Sequence, residues 1–134
     1  MAVAMQYGSN EYKRSGGASG GGGISMTLLW TNPDDTVNFA AQKISLDLSS
    51  YGAIGIVPRF GVGTRTIMPM QIFEIDDGTE HNMITIQSAS YNRTGGRAFT
   101  VDSTGVDFEG GNYNGSSGNN YALPIKIYGI RGIG

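Results

Sequence analysis

The stretch Gln42-Lys43-Ile44-Ser45-Leu46-Asp47-Leu48 alternates without a fault: Ile44, Leu46 and Leu48 take one side of an extended chain, Lys43, Ser45 and Asp47 the other. A period of two belongs to a half-buried β-strand, whose successive side chains point to opposite faces of a sheet. Upstream, residues 24–30 read as another strand, stopped by the turn Asn32-Pro33-Asp34-Asp35 with proline in its second position. Residues 37–41 make a short segment, and residues 36–42 hold one helical turn at most. Downstream, residues 49–52 turn and residues 53–60 form a strand in which Pro58 implies an edge or a bulge.

After a second turn at 61–63, residues 64–75 read as a longer strand. Met68, Met70 and Ile72 share one face of it and Phe73 and Ile75 the other, so a bulge is expected near 69–71. Asp76-Asp77-Gly78-Thr79 is a strong turn signal, and residues 82–91 pair back as a hairpin with Ile84 and Ile86 inward. Phe99 and Val101, then Val106 and Phe108, mark two further strands around a Ser-Thr-Gly turn. Residues 109–120 read as a loop, and residues 121–130 close the domain with Ile125 and Ile127 on one face, Lys126 and Tyr128 on the other. Strands spaced roughly 8–12 residues apart, with no capped helical window, predict an all-β domain over residues 24–134: an antiparallel β-sandwich, jelly-roll-like.

Composition narrows the chemistry. One domain is the default for 134 residues. Charged residues make up 15% of them, against a usual share of about 25%, and turn-forming Gly, Ser, Thr and Asn fill the difference. Hydrophobic content of 39% builds a modest core, and oligomerisation is a common source of further stability for such a domain. Without cysteine there is neither a disulfide framework nor a thiolate metal site. The net charge is −2, and Arg59, Arg65, Arg93, Arg97, Lys126 and Arg131 are scattered singly. That distribution reads as a solvated surface and argues against nucleic acid as a partner. No basic stretch followed by an apolar one opens the chain, and no apolar run is long enough for membrane insertion.

Residues 1–23 differ from the rest: a mildly apolar tip, a polar middle, then a run of glycine and serine. Such an arm is expected to be disordered in a free monomer and to order on a neighbour. Met1, Met5, Tyr7 and Tyr12, with Trp30 on the first strand of the body, are its candidate oligomer or anchor contacts.

Catalytic candidates are thin. Asp76, Asp77, Glu80 and His81 are the densest set of ligand-type side chains, and hard oxygens at a glycine turn suit Ca²⁺. Their spacing is not that of an EF-hand, and carboxylates also flank hairpin turns for solvation alone, so no metal or cofactor is assigned. Carboxylate pairs can be drawn from Asp47, Asp76, Asp102 and Glu109, as in any β-domain. No enzyme is expected. The glycines at 20–23 lack the Lys and Ser/Thr of a phosphate loop. The sequons at Asn92 and Asn114 are taken as chance. More telling are Tyr91, Asn92 and Arg93, then Asn112, Tyr113 and Asn114, in or beside polar loops. Tyrosine with amides suits recognition of carbohydrate or protein, because rings stack at low entropic cost and amides hydrogen-bond. The plainer alternative is that these tyrosines cover strand ends.

Two clusters of words carry a resemblance. Leu28-Leu29-Trp30-Thr31-Asn32-Pro33, Phe39-Ala40-Ala41-Gln42, Ile44, Leu46-Asp47-Leu48-Ser49 and Tyr51 form the first, and residues 120–130 the second. Together they resemble small virion-associated structural proteins of tailed bacteriophages. The resemblance implies a virion component, either a fibre or spike tip or a capsid decoration or head-fibre protein. It further implies a homo-oligomer with a trimer favoured, other virion proteins as partners, and a host-surface glycan or protein at the loops. It supplies no catalytic residue. A carbohydrate-binding module of other origin is the alternative reading of the same residues.

Overall fold

The computed structural model describes residues 11–13, 23–76, 78–87 and 93–133, the first three by their backbone. Among them the strands are β1 (Glu11–Lys13), β2 (Ser25–Thr31), β3 (Gln42–Ser45), β4 (Ala53–Gly61), β5 (Gln71–Glu74), β6 (His81–Ile86), β7 (Thr94–Asp102), β8 (Gly105–Tyr113), β9 (Ser116–Ser117) and β10 (Tyr121–Arg131). They make two antiparallel sheets, one ordered β1-β2-β10-β4-β5 and the other β3-β8-β7-β6, with β9 folded back on β8. The chain passes between the sheets from β2 to β3, from β3 to β4 and from β5 to β6. Its last strand closes between β2 and β4. This wrapping is the jelly-roll-like sandwich the turn spacing predicts, with β6, β7 and β8 running on as a meander.

The inter-sheet core is built from Ile54, Ile56 and Ile127 on one sheet and Met83, Phe99, Val101, Val106 and Phe108 on the other. Leu48 is buried in it, and Ile44 and Leu46 pack against it, so the alternation at 42–48 is inward on the expected side. β4 and β10 occupy the middle of their sheet and are buried almost continuously. Their sequences are accordingly apolar on both faces, broken only by Arg59 in β4 and by Lys126 and the terminal Arg131 in β10, so the alternation expected over 121–130 gives way to near-continuous burial. Pro58 lies on β4 opposite Pro124 on β10, beside a register shift between Pro124 and Lys126. Two residues without an N–H thus face each other where the ladder is already irregular, so β4 tolerates its proline without being an edge.

Three expectations are corrected. The strand expected over 64–75 is confined to Gln71–Glu74, preceded by a single bridge of Ile67 to Arg59; Pro69 interrupts the ladder between them. The loop expected over 109–120 is strand as far as Tyr113, followed by a tight turn. On β6 the facing is reversed: Met83 and Thr85 are buried, while Ile84 and Ile86 are 55% and 46% exposed. The arm lies mostly outside the described residues, Met1, Met5 and Tyr7 included. Its residues Glu11–Lys13 pair with β2, Tyr12 standing opposite Met26.

The facing of β6 gives a direct test by urea unfolding. Met83→Ala should lose about 2–5 kcal/mol, as core methionines do. In the monomer, Ile84→Thr should stay within about 0.5 kcal/mol, as at other exposed positions.

Candidate functional site

The recognition candidates that the structure describes gather at one end of the sandwich. Tyr113 is paired with Gly95 and Asn112 with Gly96, so the tip of β8 lies beside the start of β7. Arg93 immediately precedes that start. Its guanidinium donates to Gln87 Oε1 at 3.0 Å, and the Gln87 N–H donates to the Arg93 carbonyl at 3.2 Å, closing the β6–β7 connection. Tyr91 and Asn92 lie outside the described residues.

Asn114 and Gly115 have φ of +47° and +87°. Positive φ at both central residues is what a two-residue hairpin turn needs, and Asn-Gly is its strongest sequence signal. The Asn114 side chain turns back to β7, its oxygen accepting from Thr94 N–H at 2.9 Å and Thr94 Oγ1 at 3.2 Å. Asn114 therefore fastens the hairpin, while Asn112 is exposed on it. The Tyr113 ring is half-buried and stacks on Tyr121, with centroids 4.3 Å apart and planes at 22°. Phe60 sets its ring at a steep angle to both. Tyr113 thus covers a strand end and shapes the rim from within.

Underneath this rim lies a residue the sequence reading placed among scattered surface charges. Arg97 is fully buried. Its guanidinium donates to the carbonyls of Ala122 at 2.8 Å, Glu109 at 2.7 Å, Tyr121 at 3.0 Å and Asn119 at 3.3 Å. It also stands 5.2 Å from the Phe39 ring centroid. Among the described residues no carboxylate forms an ion pair with it. Desolvation by burial pulls its pKa down to about 10, so it stays protonated at neutral pH. Opposite Arg97 on β8 is Gly111. A Cβ there would come 2.5 Å from the Gly118 and Tyr121 carbonyls and 2.9 Å from Arg97 Nη2, so only glycine leaves room for the guanidinium. Paired glycines at 95–96 and 110–111 around one arginine are the signal that could have revealed it.

The acidic cluster is divided. His81 Nε2 and Asp76 Oδ2 are 3.2 Å apart, and the imidazole packs between Phe73 and Phe99. Glu80 instead meets Glu109: hydrogen bonding and charge repulsion from Glu80 push the Glu109 pKa up. Asp77 lies outside the described residues. Among those described, no three His, Asp or Glu side chains come together as metal ligands. Asp47 and Asp102 each cap their own turn, accepting first from the hydroxyl and then from the N–H of Ser49 or Thr104, which holds both carboxyls below the ordinary range. Trp30, half-buried, meets Phe39 edge-on and lines a cleft of about 230 Å³ with Pro33, Val37 and Gln42. No helix among the described residues is long and apolar enough to cross a membrane.

Two outcomes are expected. Arg97→Lys should destabilise by about 3 kcal/mol or more in chemical unfolding, since a compact ammonium cannot serve carbonyls spread around a planar fork. Glu109→Gln should change the pH profile of Tm. A carboxyl whose folded pKa is raised favours folding below its unfolded pKa and loses that contribution as pH rises through the folded one. Wild type should therefore fall relative to Glu109→Gln on going from acid to neutral pH. Parallel profiles would show that Glu80 and Glu109 do not interact in solution.

No protein-family model, no curated protein and no solved structure matches the chain.

Proposed function

We propose that the chain is a non-enzymatic structural component of a bacteriophage virion, displayed on the particle as a capsid decoration or head-fibre protein or as the tip of a tail fibre. The opposition of two ends of the sandwich is the observation that carries this reading. β10 starts at Tyr121, under the rim, and ends at Arg131, opposite Ser25, which is itself opposite Lys13. Its 11 residues separate those ends by roughly 35 Å. The glycine-rich connection between Lys13 and Gly23 thus leaves and rejoins the body far from Arg93, Asn112 and Tyr113. A domain held at one end and presenting the clamped 112–117 hairpin at the other suits attachment to virion proteins and contact with a host-surface glycan or protein. Exposed Ile84 and Ile86 on the edge strand β6 offer apolar surface to a neighbouring copy, in keeping with a homo-oligomer, trimer favoured.

The stacked pair of Tyr113 and Tyr121 also favours a second reading, a monomeric carbohydrate-binding module using the same rim. Light scattering on the purified chain separates the two. A trimer or larger ring is expected of the virion part. A monomer that binds glycans, with affinity falling about tenfold or more in Arg93→Ala and Asn112→Ala, would overturn it in favour of the module.

A further inference from the structure

The outer face of the β1-β2-β10-β4-β5 sheet is apolar, where a solvated sandwich face is polar. Met26, Ala53, Val57, Met70, Tyr128 and Ile130 belong to one buried cluster there. It includes no residue of β6, β7 or β8, so it lies on the side away from the inter-sheet core. Met70 reaches over the sheet at Gly55, where a Cβ would come 2.3 Å from its sulfur. Alongside runs a groove of about 500 Å³ lined by Val57, Ile67, Met68, Pro69, Tyr128 and Lys126.

We propose that this groove is the docking site of the chain's own apolar N-terminal segment, Met1-Ala2-Val3-Ala4-Met5. Direction is the first argument. β1 is antiparallel to β2, with Lys13 opposite Ser25 and Glu11 opposite Thr27. The chain preceding Glu11 therefore leaves β1 toward the Thr31 end of β2. Thr31 stands opposite Lys126, and Lys126 opposite Val57, both of which line the groove.

Reach is the second. From the Thr27 level to the Thr31 level is about 13 Å along the strands, and from β1 to the β10–β4 boundary about 12 Å across them. The diagonal is roughly 18 Å, and the six residues 5–10, extended, cover about 20 Å. Met5 thus arrives at the groove, and the four residues before it are left to lie there.

Chemistry is the third. The segment carries no charged side chain, and its methionines have the flexible thioethers that fill irregular apolar gaps. Docking there removes from water the exposed Ile67 and Pro69 and the half-buried Met68, none of which the inter-sheet core uses. The inference assigns Met1 and Met5 to the chain's own body instead of to an anchor contact on a neighbour, and it holds equally for a virion part or a carbohydrate-binding module.

The absence of cysteine makes disulfide trapping in the full-length chain clean. Ile67, 47% exposed, tolerates replacement. Ile67→Cys is combined in turn with Ala2→Cys, Val3→Cys and Ala4→Cys, and Ile84→Cys on the other sheet with Ala4→Cys serves as control. At least one groove pair should close an intrachain disulfide about tenfold faster than the control, because docking raises the effective concentration of the thiols. Adding Val3→Asp to the Ile67→Cys, Ala4→Cys pair should remove that advantage. Rates no faster than the control would overturn the proposal. Disulfide-linked dimers in place of intrachain bonds would also overturn it, since a second copy's segment would then occupy the groove.

Discussion

Arg97 sets the constraint on which the loop end depends. A guanidinium taken out of water without a counter-charge is unfavourable by several kcal/mol unless dipoles replace the lost hydration. Here the replacements are backbone carbonyls from β8 and from the segment leading into β10. To present them the chain holds Ala122 at a φ of +50°, a conformation that a non-glycine residue adopts at a cost of about 1–2 kcal/mol. The same segment accepts from Phe39 N–H through Asn119 and from Val62 N–H through Asn120. Three connections that are distant in sequence are thereby registered to one buried cation.

That cation also explains why β6 presents the face it does. Residues directly opposite in an antiparallel pair share a face, and a shift of one residue would exchange the faces. Met83 is opposite Arg97 and Thr85 opposite Gly95. Once Arg97 points inward, Met83 and Thr85 must follow it, and the isoleucines beside them go to solvent. Local hydrophobicity, which ranks isoleucine above threonine, loses to long-range register. The Thr85 hydroxyl fits because Gly95 has no Cβ; one placed there would stand 2.7 Å from it.

What was legible in the sequence was whatever depends on near neighbours. The alternation at 42–48, the turn after Asn32-Pro33 and the irregular ladder at Pro58 each state their structure locally. What was not legible depends on a partner elsewhere in the chain. Arg97 looks like any single basic residue until Gly111 is placed opposite it. Asn114-Gly115 was readable as a hairpin turn, yet a glycine-rich surrounding made it look like one more loop residue pair. Of the recognition candidates, Arg93, Asn112, Tyr113 and Asn114 do come together, but Asn114 is spent on Thr94 and Tyr113 on Tyr121 and Phe60.

This division of labour bears on what the rim can do. Loops that bind are usually mobile and give up entropy when they engage a partner. Here Asn114 clamps the hairpin to β7, Arg93 bonds to Gln87 beside it, and Tyr113 is packed from beneath, all above a segment that Arg97 holds by its backbone. The hairpin at 112–117 therefore has little ordering left to lose and little capacity to remodel. On the proposed reading, such a hairpin suits a repeated, uniform surface, with strength gained from the number of copies engaged at once. Under the proposed reading the fold therefore supplies presentation, and affinity comes from the assembly that carries it.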